Sequence, residues 1–424
     1  MTTLYKRCYL TFLVCLCCQL TAWAHQPIIA SIEPSQSPSP WGFPIGVDSR
    51  ASAKVNDNNY ATVYSYWGEA WIQLKYMNIL NAGTTSFIRV EAPGFTLSSI
   101  INDIVTIEAY NTANATSDGN LVASPTISVV QDQNYTYLAV TPSVQYNSVR
   151  IKVSTPNFQL NPNALRVFYS FYNGSDGADC GAGWAADIGE KSMGAAPASQ
   201  VRNPGRAIDS DTSSYSTLQL TANQQNLQVS QTIYFPAASY ISNIVQVKAS
   251  VNSVFNPADY VIEAQAYFGL TAVGSKQNIT SQVNVSTGPV KIYISPGSYI
   301  DRVRISIKAN NNGAQTGHVN IHNVQLVPEP PTLNQNSLTI CGTSASITLQ
   351  VTNTDAAIRY QWYNNNNPIS GATSSTYSAN LTSATNPYTI SVAAIKAGCT
   401  SESKRTNATI GVFQKPVSPT IIIF

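Results

Sequence analysis

Charge is what this 424-residue sequence has least of: Asp, Glu, Lys and Arg together supply only 10% of it, against roughly 25% in an average soluble domain. The 23 basic and 21 acidic side chains nearly cancel, leaving a formal net charge of +2. That balance excludes the basic field that nucleic acid or an anionic lipid surface requires. No window carries the period of a long amphipathic helix. A G-x-S-x-G elbow, a phosphate loop and a His poised near a Ser or Cys are also missing, which argues against the common hydrolase and nucleotide chemistries. What fills the chain instead is 43% apolar residues with frequent aromatics, too much for a disordered segment. Asn, Gln, Ser, Thr and Tyr take the place of charge on the surface.

The one extended apolar run, Leu10 to Leu20, is too short for a comfortable membrane span. Lys6 and Arg7 precede it and Ala22-Trp23-Ala24 follows, so residues 1–24 read as a secretory signal peptide with His25 as the new N-terminus. Lipoprotein processing at Cys15 is the alternative, disfavoured by the bulk of Val14. No transmembrane segment is expected in the mature chain. Four of seven cysteines leave with the peptide, and Cys180, Cys341 and Cys399 remain. In an oxidising compartment one disulfide and one odd thiol is the simplest arithmetic.

From residue 45 onward, period-two runs rich in β-branched residues alternate with Gly, Pro and Asn punctuation, and the spacing predicts an all-β chain. Blocks recur in order. Asn56 answers to Asp209, Asp103-Ile104-Val105 to Asp259-Tyr260-Val261, and Val149-Arg150-Ile151 to Val303-Arg304-Ile305, at offsets of 153, 156 and 154 residues. A period this long means tandem domains, and about 150 residues of short strands suits an eight-stranded jelly roll. Residues 25–175 and 176–328 are therefore expected to be two copies of one jelly-roll sandwich. After the stiff Val327-Pro328-Glu329-Pro330-Pro331 linker, residues 329–413 read as an immunoglobulin-like sandwich with Trp362 as its buried core tryptophan. Cys341 and Cys399 bracket that sandwich and are expected to pair, pinning its end. Residues 414–424 read as the start of a further module, or as a docking tail, and the chain as part of a longer protein.

Asn203 to Leu218, followed by Ser230-Gln231-Thr232-Ile233-Tyr234-Phe235 and Ile300-Asp301-Arg302-Val303-Arg304-Ile305, resembles a repeat in large exported proteins of gliding gram-negative bacteria. Those repeats are similar to the galactose-binding, discoidin-type jelly roll. The third domain resembles the Ig-like modules of the same proteins, through Cys341, Tyr360-Gln361-Trp362-Tyr363, Ile369-Ser370-Gly371-Ala372 and Gly398-Cys399-Thr400. The resemblance implies surface adhesion or matrix contact, and a secreted or outer-cell-surface location.

Asp209 and Asp211, two apart in a Pro-Gly turn, are candidate ligands for Ca²⁺, a hard cation that takes carboxylate, hydroxyl and backbone oxygens. The bland reading is an Asx-type turn in which each carboxylate caps its own backbone. Copy one has Asn56 and Asn58 there, with less charge. Tyr64, Tyr66, Trp67 and Trp71 are candidates to stack on sugar faces. Tyr66 and Trp67 are preferred, because Trp71 sits in a strand-like run where core packing explains it. His318 and His322 share one strand face, without a visible third metal ligand. Glu108 with Arg150, and Glu263 with Arg304, occupy matching places and read as a structural ion pair or a solvated face rather than a glycosidase pair. Cys180 is either a buried thiol or an intermolecular bridge.

These features point to a non-catalytic adhesin-like protein that binds extracellular glycan or a surface polymer through jelly-roll loops. Accessory binding modules of a carbohydrate-active enzyme, and a purely structural spacer, are the competing readings.

Overall fold

The computed structural model describes residues 58–93, 103–112, 119–157, 161–172, 180–209, 213–235, 244–283, 288–311, 315–383 and 387–414, with short pieces at 28–29, 32–36, 45–49, 53, 96–97, 101, 211 and 313. The signal-peptide residues 1–24, Asn56 and the terminal residues 415–424 lie outside the described residues. The protein is all-β: two tandem jelly-roll sandwiches followed by an immunoglobulin-like sandwich. It divides into two compact units, Met1–Tyr240 with Val247–Gln325, and Ile241–Gln246 with Leu326–Phe424.

The strand order of the first jelly roll recurs in the second. In copy one, one sheet runs Ala61–Ser65, Asn163–Tyr172, Ser86–Glu91, Thr136–Val140, and the other Gly68–Leu80, Tyr146–Thr155, Val105–Asn111, Asn120–Ala123. In copy two the sheets run Ser216–Leu220, Gly317–Val327, Ile244–Val251, Val290–Ile294, and Gln228–Tyr234, Arg302–Ala309, Tyr260–Phe268, Thr271–Asn278. Eight strands thus correspond one to one, in the same chain order and the same sheet positions. Alternation puts Ile72, Leu74, Ile107, Leu138, Ile151 and Leu165 into the core of copy one. In copy two Leu218, Val247, Ile262, Ile305 and Val319 are equally buried.

The two copies are fused rather than strung. Ala185–Asp187 pairs with Ile127–Gln131 of copy one and with Gln228–Tyr234 of copy two, so one 13-stranded sheet runs through both. Phe87, Tyr137 and Phe171 belong to a cluster separate from copy one's core, and there they meet Trp184 and Tyr234. The Trp184 ring lies 4.6 Å from Phe87, 5.6 Å from Tyr137 and 5.5 Å from Phe171. Arg302 of copy two crosses the same seam. It donates to Thr141 Oγ1 at 3.2 Å and to Thr85 Oγ1, while Asp301 takes it bidentately at 2.9 and 2.7 Å.

Asp187 is also at the seam, buried, accepting a hydrogen bond from the Gly189 amide at 3.0 Å. Burial pushes its carboxyl up to about 7, with the Thr232 amide and hydroxyl opposing the shift, nearby Glu190 adding to it and Arg304 reducing it. The folded protein therefore holds this proton to higher pH than the unfolded chain. Stability is expected to fall as pH rises from 3.8 to about 7, by about 1.4 kcal/mol per pH unit at most. Urea unfolding across that range checks it, and Asp187→Asn is expected to flatten the dependence.

The Ig-like unit pairs Ser337–Cys341 in parallel with Thr406–Phe413, followed by Tyr388–Lys396, Ile358–Asn364 and Asn367–Pro368. Ser344–Gln350 and Thr376–Thr382 form the facing sheet. Trp362 is fully buried, as its place in the sequence predicts, with Nε1 donating to the Ser374 carbonyl at 2.9 Å.

Two expectations are corrected. Cys341 does not pair with Cys399: it is a free, exposed thiol, whereas Cys399 is disulfide-bonded, as is Cys180. The ladder explains why. Cys341 lies opposite Phe413, at one end of Thr406–Phe413, whereas Cys399 follows Lys396 at the other end. Eight residues of strand span about 26 Å, far beyond the roughly 4.4–6.8 Å between Cα atoms that a disulfide accepts. Nor do the expected ion pairs form. Glu108 takes Lys152 at 3.0 Å and Glu263 takes Lys276 at 3.2 Å. Arg150 donates to Gln73 Oε1 at 3.0 and 2.8 Å, and Arg304 reaches Glu190 at 3.3 Å. Arg150 lies opposite Glu108, but Arg304 lies opposite Gln265, so Glu263 is two ladder positions away from matching Glu108.

Candidate functional site

Tyr66 and Trp67 form the tight connection between Ala61–Ser65 and Gly68–Leu80. The Ser65 hydroxyl donates to the Gly68 carbonyl at 3.0 Å, and Gly68 supplies the positive φ, 82°, that such a reversal needs. With its backbone fixed this way, Trp67 presents a ring 56% exposed to solvent. Tyr66 stands edge-on to Tyr64, with centroids 6.4 Å apart. Trp71 is drawn away from this group: it lies within the strand, with the Arg150 guanidinium 3.8 Å from its ring centre.

Asp209 and Asp211 follow the short 3-10 turn Pro204–Ala207 and do different things. Asp211 Oδ1 accepts from the Ser213 hydroxyl at 2.6 Å and its amide at 2.9 Å, which holds the exposed carboxyl below its ordinary value. That is the Asx-type turn. Asp209 Oδ2 accepts from the Ser214 hydroxyl, while its Oδ1 is buried without a hydrogen-bond partner. Asn323, whose amide nitrogen reaches the Asp209 carbonyl at 3.5 Å, also has a buried Oδ1 without one. Acceptor oxygens left without donors are a chemistry that a hard cation satisfies, whereas Asp211 Oδ1 is already engaged within its own turn. In copy one Asn58 instead accepts from Arg89 at 3.2 Å.

His318 and His322 share a strand, but His322 Nε2 is 2.9 Å from the Ser250 hydroxyl and its ring lies 5.1 Å from Tyr215. Among the described residues no group of three or more His, Cys, Asp or Glu is placed to hold a metal ion. Among them, too, no helix is long and apolar enough to cross a membrane.

The sequence reading did not anticipate a cleft of about 680 Å³ along the seam between the jelly rolls. The cleft is lined by Tyr234, Tyr267, Arg302 and Arg304 of copy two, by Glu190, and by residues 122–126 with Ser143 of copy one. The signal available was the Arg302-Val303-Arg304 alternation, whose two arginines must share a face in a strand.

Residues 328–413 match the family model described as "Ig-like domain CHU_C associated", so the C-terminal sandwich is an Ig-like domain of that type. No curated protein matches the chain. Among solved structures it is similar to the tandem CBM22-1-CBM22-2 domain of Paenibacillus barcinonensis Xyn10C, at 10% identity over 72% of this chain and 98% of that one, with a TM-score of 0.20. The tandem CBM51 modules of Sp3GH98 from Streptococcus pneumoniae SP3-BS71 show 10% identity over 63% and 83%, with a TM-score of 0.20. The glycoside hydrolase domain of Endo-D from Streptococcus pneumoniae R6 shows 11% identity over 46% of this chain, with a TM-score of 0.20, and the chain spans a third of that structure's length (33%). At these scores the likenesses assign neither ligand nor activity.

Proposed function

We propose that this is an exported, non-catalytic binding protein that attaches to extracellular glycan through its tandem jelly rolls, the Ig-like sandwich serving as spacer. The observation that carries this reading is Trp67, a large ring exposed on a turn whose backbone is independently pinned. Folding alone gains little from presenting it; a sugar face does. A disulfide in the chain fits an oxidising compartment outside the cytosol. Trp67→Ala is expected to weaken binding to an array-identified glycan about tenfold or more while leaving the melting temperature unchanged. Isothermal titration of the full chain measures both affinities, and equal affinities would remove Trp67 from the site.

Ca²⁺ belongs to this reading as a structural ion at Asp209 and Asn323. Micromolar Ca²⁺ is expected to raise the melting temperature of the protein and of Asp211→Asn, but not of Asp209→Ala. A calorimetric scan with and without EGTA distinguishes these, and no shift in any variant at millimolar Ca²⁺ refutes the ion site.

A further inference from the structure

We infer that the seam cleft is a second carbohydrate site, built from both jelly rolls, and that it takes a neutral, hydroxyl-rich oligosaccharide. The inference rests on the glycan-binding reading above and adds a place and a ligand class to it.

Arg302, which lines the cleft, is fixed in place. Arg302 is anchored to Thr85 and Thr141 of copy one and to Asp301 of copy two, and its side chain is only 8% exposed. Bound this way it ties the two jelly rolls together, so the space between them exists before any ligand arrives and little ordering is needed on binding. At about 680 Å³ the cleft is within the roughly 300–1,000 Å³ typical of sites that enclose small ligands.

Charge decides the ligand class. Arg302 is matched by Asp301 at 2.7 Å and Arg304 by Glu190 at 3.3 Å. Two guanidinium and two carboxylate groups cancel, so there is no net positive field to draw in an acidic polymer. What remains is a donor and an acceptor side by side. Arg304 and Glu190 are partly exposed, at 34% and 51%, and a pair so solvated holds itself together by about 1 kcal/mol or less. Its N–H groups and carboxylate oxygens are therefore open to exchange with ligand hydroxyls, and adjacent sugar hydroxyls each donate and accept.

Tyr267 supplies the third element. Its half-buried ring lines the cleft beside Arg304, 5.6 Å from that guanidinium, and offers an apolar face to the C–H side of a pyranose. From copy one, Ser124, Thr126 and Ser143 offer hydroxyls and no charge to the same cleft.

The test is a glycan array carrying neutral glucans, galactans, mannans and xylans beside uronate-rich and sulfated polymers. It is probed with the full chain and with Arg304→Ala, Tyr267→Ala and Trp67→Ala. The expected result is retention on a neutral glycan, with Arg304→Ala and Tyr267→Ala each lowering affinity about tenfold or more at unchanged melting temperature. Arg304→Lys, which keeps the charge but not the planar fork, is expected to restore binding only in part. If both cleft variants bind like the parent while Trp67→Ala does not, the cleft is refuted and the loop site stands. Retention on acidic polymers alone refutes the neutral class. No retention on any glycan overturns the glycan-binding reading and this inference with it.

Discussion

Trp184→Ala is expected to destabilise the fused jelly rolls by about 3 kcal/mol, the low end of the usual cost of removing a packed tryptophan, because the ring is half-buried. The ring, half-buried, is in contact with Phe87, Tyr137 and Phe171 at once, so its loss strips all three of a packing partner. All three sit in strands of copy one, and Trp184 is brought to them by the short strand shared with copy two. Calorimetry is expected to show the jelly-roll transition moving down and broadening. Trp184→Phe separates shape from chemistry. The indole nitrogen is buried without a hydrogen-bond partner, so phenylalanine removes an unsatisfied donor while keeping most of the aromatic contact. Its effect is expected to stay under about 1.5 kcal/mol. Equal losses in the two variants would mean that the ring does not fill the seam.

Trp362→Ala is the second large effect, about 3–5 kcal/mol, and it is confined to the Ig-like sandwich. The ring is fully buried, stacked on Tyr377 at 5.4 Å, and hydrogen-bonded to the Ser374 carbonyl. A domain of this size carries about 5–15 kcal/mol in total, so alanine is expected to remove a large share of the sandwich's stability. Trp362→Phe keeps much of the packing and leaves Ser374's carbonyl without its donor, for about 1–3 kcal/mol. Near-ultraviolet circular dichroism during thermal melting follows this transition. An alanine variant melting within a degree of the parent would contradict the assignment of Trp362 as the core of that sandwich.

Much of this architecture was legible in the sequence. Collinear blocks such as Val149-Arg150-Ile151 and Val303-Arg304-Ile305 do occupy matching central strands, because strand alternation and spacing are written locally. The offset drifts between blocks, and a drifting offset cannot fix a ladder position. That is how Glu263 came to be matched with Glu108, two positions out. The seam was readable too. Tyr137-Leu138-Ala139-Val140 is apolar on both faces, a mark of a strand covered on both sides. The disulfide was not readable, since which cysteines meet depends on where loops end in space. Tyr66 and Trp67 could be placed on a loop by their neighbours. Asn323 could not be joined to Asp209 without the strand pairing that brings them together.

The claim on which the account depends is that two copies of one sandwich share a sheet through Ala185–Asp187. Hydrogen exchange of the Ala186 and Asp187 amides, read by mass spectrometry on the intact chain, tests it most directly. The account predicts protection comparable to that of the central strand Arg302–Ala309, because both edges of the short strand are paired. Exchange as fast as in an exposed loop would show instead two separate sandwiches joined by a tether.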